Sequence, residues 1–113
     1  MSDLAEQKCV PCEGGLPPAN DTEIETLLTD IPKWQVIENR GIKQLQRAFK
    51  FPDWQAAMAF SQQVGDAAET AGHHPALLTE WGKVTVTWWT HAIGGLHKND
   101  FVMAAKTDAI AQV

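Results

Sequence analysis

The sequence predicts an α+β domain: a four-stranded antiparallel sheet with three helices packed on one face, in the order α-β-β-α-β-β-α. Three observations carry this expectation. Apolar residues recur at steps of three and four in separate segments, as in half-buried helices, and alternate in others, as in half-buried strands. Turn chemistry falls between the alternating segments in pairs, which makes hairpins. A chain of 113 residues, 44% hydrophobic and 20% charged, folds around one core and has no room for a second.

The elements follow in order. Residues 1–19 hold Cys9, Cys12, Gly14, Gly15, Pro17 and Pro18 without apolar periodicity, and are expected to form an irregular arm outside a single domain of residues 20–113. Asn20-Asp21-Thr22-Glu23 reads as a cap with acidic first-turn residues. It opens a helix with Ile24, Leu27, Leu28 and Ile31 on one face, which Pro32 ends. Trp34 to Glu38 is a strand, Asn39-Arg40-Gly41 a turn, and Leu45, Phe49 and Phe51 keep one parity in the returning strand. Arg47 shares that parity, so either its stem packs while its head escapes, or it is paired at an interface. Pro52-Asp53 starts a helix with Ala57, Phe60, Val64, Ala67, Ala68 and Ala71 on its buried stripe, and Gly72 ends it. Leu77–Trp81, a turn at Gly82-Lys83, and Val84–Thr90 form the second hairpin, with Val84, Val86 and Trp88 facing opposite to Thr85, Thr87, Trp89 and His91. Gly94-Gly95 breaks that strand. A last helix from about Asn99 carries Phe101, Val102, Ala105, Ala109 and Ile110. Helices on one face leave the other bare, so a second copy is expected to cover it or to pair at a strand edge, as a homodimer or a larger symmetric assembly.

Composition narrows the function. Nine Lys plus Arg against 14 Asp plus Glu give a net charge of −5, which offers no basic footprint for nucleic acid or anionic lipid. No apolar run approaches the roughly 20 residues of a membrane span, and Met1–Cys9 lacks the layout of a signal peptide. A soluble cytoplasmic protein is expected. Five Trp and no Tyr are unusual, and core or subunit-interface positions are expected for most of these indoles.

All four histidines, His73, His74, His91 and His97, fall in the stretch from 73 to 97. Imidazole gives and takes protons near neutrality, so a converging set suits general acid–base catalysis. Pro75 forces His74 out of the α region, which puts His73-His74-Pro75 on a connection leaving a helix. His91 ends the strand expected to lie beside the one that follows Pro75, and Glu69 lies one turn before His73, able to orient an imidazole. A zinc site built on His73, His74 and His91 is the competing reading, although adjacent residues on an extended segment point apart. His97, three before Asp100, suits a helix cap. Cys9-Val-Pro-Cys12 could serve as a redox pair or as half of a zinc site, but no strand-to-helix context accompanies it. Phosphate-loop, dinucleotide and serine-nucleophile motifs are lacking.

The stretch Glu69-Thr-Ala-Gly-His73-His74-Pro75, then Trp81-x-x-Val84, Thr90-His91 and Gly95-Leu96-x-x-x-Asp100, resembles the signature of pterin-4a-carbinolamine dehydratases. Gly41-Ile42, Leu45 and Arg47-Ala-Phe49-Lys-Phe51-x-Asp53-Trp54 extend the likeness upstream, to about residues 21–112. The resemblance implies dehydration of 4a-hydroxytetrahydrobiopterin to quinonoid dihydrobiopterin and water, with no metal or redox cofactor. It matches His73, His74 and His91 to the family's active-site histidines, Pro75 and Thr90 to positions lining the pterin pocket, and Glu69 and Asp100 to supporting acids. Trp81 or Leu77 could wall the pterin ring. Homodimers or homotetramers and a link to a phenylalanine hydroxylase are implied as well. So is an alternative role, a partner-binding module acting as a dimerisation or transcriptional co-regulator. Gly72 and Asn99 stand where many animal members carry an acid and an Arg, so roles of those side chains do not transfer.

Overall fold

The structure, a computed structural model, describes residues 4–6 and 18–111. After a 3₁₀ turn at Leu4–Glu6 come α1 (Asp21–Leu28), β1 (Gln35–Asn39), β2 (Ile42–Lys50), α2 (Trp54–Ala71), β3 (Ala76–Glu80), β4 (Lys83–Trp88) and α3 (Lys98–Ala111). The four strands form one sheet in the order β1-β2-β4-β3, every pairing antiparallel. This is the expected α+β architecture.

Local chemistry sets the boundaries. Asn20 caps α1 through a reciprocal box, its side chain accepting from the Glu23 amide at 2.9 Å while Glu23 Oε1 accepts from the Asn20 amide at 3.0 Å. Arg40 and Gly41 both have positive φ, 54° and 81°, which is the two-residue turn whose twist suits a tight hairpin. Asp53 caps α2 through the Ala56 amide, and Gly72 closes it in the left-handed region at φ 68°.

The core lies between the sheet and the helices. Leu45, Phe49, Val84, Val86 and Trp88 point there from the two central strands, meeting Phe60, Val64 and Ala68 of α2 and Phe101, Val102 and Ala105 of α3. Truncating a side chain such as Leu45, fully buried, would cost about 2–5 kcal/mol. Every residue of α3 from Asn99 to Ala105 is buried, because the helix packs on β2, β4, α1, α2 and the 3₁₀ turn at once. Such all-round burial hides the period that a half-buried helix shows. Ala109, expected on the core face, is exposed.

Two further expectations are corrected. Leu4 lies in the segment expected outside the core, yet it is buried within it, and Lys106 Nζ donates to the Ala5 carbonyl at 2.6 Å. Arg47 neither escapes to water nor waits for a partner chain: its guanidinium lies over the Phe49 ring and pairs with Asp108 of α3 at 2.6 Å. Asp108 also accepts from Trp34 Nε1 at 2.9 Å, and burial pushes its carboxyl above the ordinary range against the opposing pull of Trp34 and Arg47. Of the indoles only Trp34 and Trp88 are buried, while Trp54 and Trp81 are largely exposed.

Candidate active site

The site grows out of the end of α2. Gly72 turns the chain left-handed, the His73 amide still donates to the Ala68 carbonyl, and Pro75 keeps the following residues extended until β3 begins at Ala76. Ala76 is registered opposite Thr87 of β4, so continuing the ladder backwards brings His73 beside Thr90. Two segments that are distant in sequence thus meet at one end of the sheet.

There they share a carboxylate. Asp100, fully buried, accepts from Thr90 Oγ1 at 2.7 Å and from the His97 amide at 2.9 Å, both at Oδ2. Its Oδ1 lies 2.6 Å from His73 Nε2. With Oδ2 already accepting twice, Oδ1 is the natural acceptor for a proton on Nε2, which leaves Nδ1 as the nitrogen free for chemistry. The His73 ring also lies flat against Trp88, 5.7 Å between centroids and 7° between planes. Trp88 is itself held by its Nε1–H donating to Thr107 Oγ1 at 3.1 Å.

Asp100 stands where it does because it belongs to the start of α3. His97 caps this helix, its Nδ1 accepting from the Asn99 amide at 3.2 Å, and Asp100 in the first turn accepts from the His97 amide in return. A negative side chain there also suits the helix dipole. The expected capping role of His97 and the anchoring of His73 are therefore one arrangement.

The other two histidines are held more lightly. His74 Nε2 pairs with Glu69 at 2.7 Å, but the two side chains are 60% and 81% exposed. His91 is exposed and stacks on Trp89, 4.5 Å between centroids at 24°. No hydrogen bond among the described residues joins His91 to His73 or His74. Pro75 is half-buried between the histidine pair and β3. Leu77, 37% exposed, lies near this end of the sheet, whereas Trp81, 72% exposed, follows β3 at its other end. Among the described residues no group of three or more His, Cys, Asp and Glu side chains is arranged to hold a metal ion. Cys9 and Cys12 lie outside the described residues. Trp88, Trp89 and Thr107 had not been singled out for the site; the Trp-Trp-Thr-His run was the available signal, since alternation sends neighbouring rings to opposite sides of a strand.

The fold is that of a small α+β protein, and its family places it among the hydro-lyases. The family model described as pterin 4 alpha carbinolamine dehydratase matches residues 17–110, and the chain belongs to that family. Relatives assigned to the same dehydratases include proteins of Microcystis aeruginosa, 57% identical over 97% of this chain and 95% of the relative, and of Marinobacter nauticus, 56% identical over 97% and 99%. Among solved structures, the transcriptional coactivator/pterin dehydratase from Brucella melitensis superposes with a TM-score of 0.75 at 33% identity, covering 83% of this chain and 98% of that one. No helix among the described residues is long and apolar enough to cross a membrane.

Proposed function

We propose that this protein dehydrates 4a-hydroxytetrahydrobiopterin by histidine general acid–base catalysis. The C4a–O bond breaks, the hydroxyl leaves as water with an added proton, and a ring nitrogen gives up its proton to leave the quinonoid dihydropterin. One imidazole must donate while another accepts, and each returns to its starting state through solvent. This reading assigns His73 and His91 to the two proton transfers and His74 to the 4a-hydroxyl, with Pro75 lining the pterin pocket. Asp100, buried and with both carboxylate oxygens engaged, acts on His73 rather than on the pterin, and Thr90 supports it there. Glu69 steadies His74. The observation that carries this reading is the His73–Asp100 contact, which fixes one imidazole with Nδ1 free.

The domain is taken as residues 20–113 with Leu4 and Ala5 of the preceding segment packed on it, with a cytoplasmic location and a supply of substrate from an aromatic amino acid hydroxylase such as that for phenylalanine. Assembly as a homodimer or homotetramer is supported by the edge position of β3, where Leu78 is 58% exposed. The Microcystis and Marinobacter relatives carry a dehydratase name alone and the Brucella structure carries a coactivator name beside it, so the co-regulator role is the second reading and is not favoured for this chain. The test is the rate of quinonoid dihydropterin formation from fresh carbinolamine with wild type, His73→Ala and His91→Ala. Loss of about 10²-fold or more in both variants is expected. Folded wild-type protein without acceleration would overturn the reading.

A further inference from the structure

Trp88 and Trp89 are consecutive, and the alternation of an extended chain sends them to opposite sides. The sides are marked by their neighbours. Trp88 reaches Thr107 of α3, and Thr90, two residues on, reaches Asp100 of the same helix. Trp89 therefore faces away from α3, as does His91. Each indole lies against one imidazole: Trp88 against His73 at 7° between planes, Trp89 against His91 at 24°.

We infer that Trp88 and Trp89 are positioning residues, each holding one of the two proton-transfer histidines by ring stacking from opposite sides of the end of β4. The inference rests on the catalytic reading of His73 and His91 given above. The need for such a device differs between them. His73 already has Asp100 at one nitrogen, which fixes that atom but leaves the ring free to rotate about the contact; the flat indole removes that rotation. Thr107 in turn fixes the indole, since its hydroxyl accepts from Trp88 Nε1 and donates to the Met103 carbonyl at 2.6 Å. His91 has no hydrogen-bond partner among the described residues, so the stack on Trp89 is what orients it. Proton transfer demands an aligned nitrogen within hydrogen-bond reach, and small misplacement of a reacting group lowers rate far more than it lowers binding. Offset stacks with centroids about 4.5–7 Å apart are the favoured geometry for flat rings, and both pairs fall within it.

The test compares wild type with Trp89→Leu, Trp89→Phe, Thr107→Val and His91→Ala. Steady-state dehydration is measured on each, together with the imidazole proton resonances of His73 and His91. Thr107→Val stands in for substitution of the buried Trp88, which would endanger the fold, because it keeps the side-chain shape while releasing the indole N–H. Trp89→Leu should lower kcat by about tenfold with KM within about twofold, as expected of a group that acts through alignment. In the same variant the His91 ring protons should move downfield as the indole ring current is lost. Trp89→Phe, which keeps a flat ring, should restore most of the rate. Thr107→Val should shift the His73 ring protons and lower kcat, leaving His91 unmoved. If His91→Ala loses the rate while Trp89→Leu and Thr107→Val keep it, the stacking inference is overturned and the catalytic reading stands. If His91→Ala keeps the wild-type rate, both fall.

Discussion

His73 and His74 are neighbours in sequence, and each has a carboxylate oxygen within 2.7 Å of its Nε2, yet the two pairs are physically different objects. Asp100 is out of water, accepts three hydrogen bonds and sits in the first turn of a buried helix. Glu69 is on the outer side of α2 with most of its surface in solvent. Distance alone would rank the pairs equal. Solvent separates them: an exposed ion pair contributes about 0–1 kcal/mol and weakens with salt, whereas breaking a buried one leaves a charged or polar group with nothing to replace its partner, costing about 3–5 kcal/mol. The half-buried Arg47–Asp108 pair lies between these extremes.

The sharpest way to break this contrast is to remove the buried acid. Asp100→Ala should destabilise the fold by about 3–5 kcal/mol, read from urea unfolding, and lower dehydratase turnover by about 10²-fold or more, since His73 loses its anchor. Asp100→Asn, which keeps the shape, separates the two effects by recovering more stability than rate. At the Arg47–Asp108 pair the prediction is about pH. A carboxyl whose pKa is raised by folding binds its proton more tightly in the folded protein, so its ionisation costs stability as pH rises from the unfolded value, about 3.9, through the raised folded one. Asp108→Asn carries no such cost. Its stability relative to wild type should therefore improve as pH rises across that window, and a constant difference from pH 3 to 6 would sink the idea. At the exposed pair, Glu69→Gln should change stability by less than about 1 kcal/mol and turnover by no more than about threefold, both effects shrinking further in high salt. A large loss there would mean that Glu69 meets the substrate itself. The α1 cap gives a small reference value remote from all three pairs: Asn20→Ala should cost about 1 kcal/mol with turnover unchanged.

How much of this was legible in the sequence depended on whether the cause was local. Caps at Asn20 and Asp53, the left-handed stop at Gly72, and the Arg40-Gly41 turn are written in a few adjacent residues, and the element order followed from them. His73-His74-Pro75 was visible for the same reason. The pairing of His73 with Asp100 spans 27 residues and depends on strand register and on where α3 starts, so spacing could not yield it and only the family resemblance pointed there. Leu4 escaped notice because one apolar residue beside a Cys-, Gly- and Pro-rich stretch has no period, although in space it completes the core against α3. Trp34, Arg47 and Asp108 were likewise invisible as a cluster, since Trp34 precedes β1, Arg47 is on β2 and Asp108 is on α3. Trp54 and Trp81 are exposed in the single chain, so of the core or interface positions expected for most indoles only the core ones, Trp34 and Trp88, are seen in it.

The carboxylate of Asp100 closes the first turn of α3 and orients His73 at once, so the two events share a clock. Helix ends open and reclose continually, with a free energy smaller than that of global unfolding. Each opening of this turn would release the imidazole, and under the proposed mechanism that local equilibrium sets the fraction of molecules able to react. Amide hydrogen exchange at His97, whose N–H is donated to Asp100, would report the opening equilibrium of this turn.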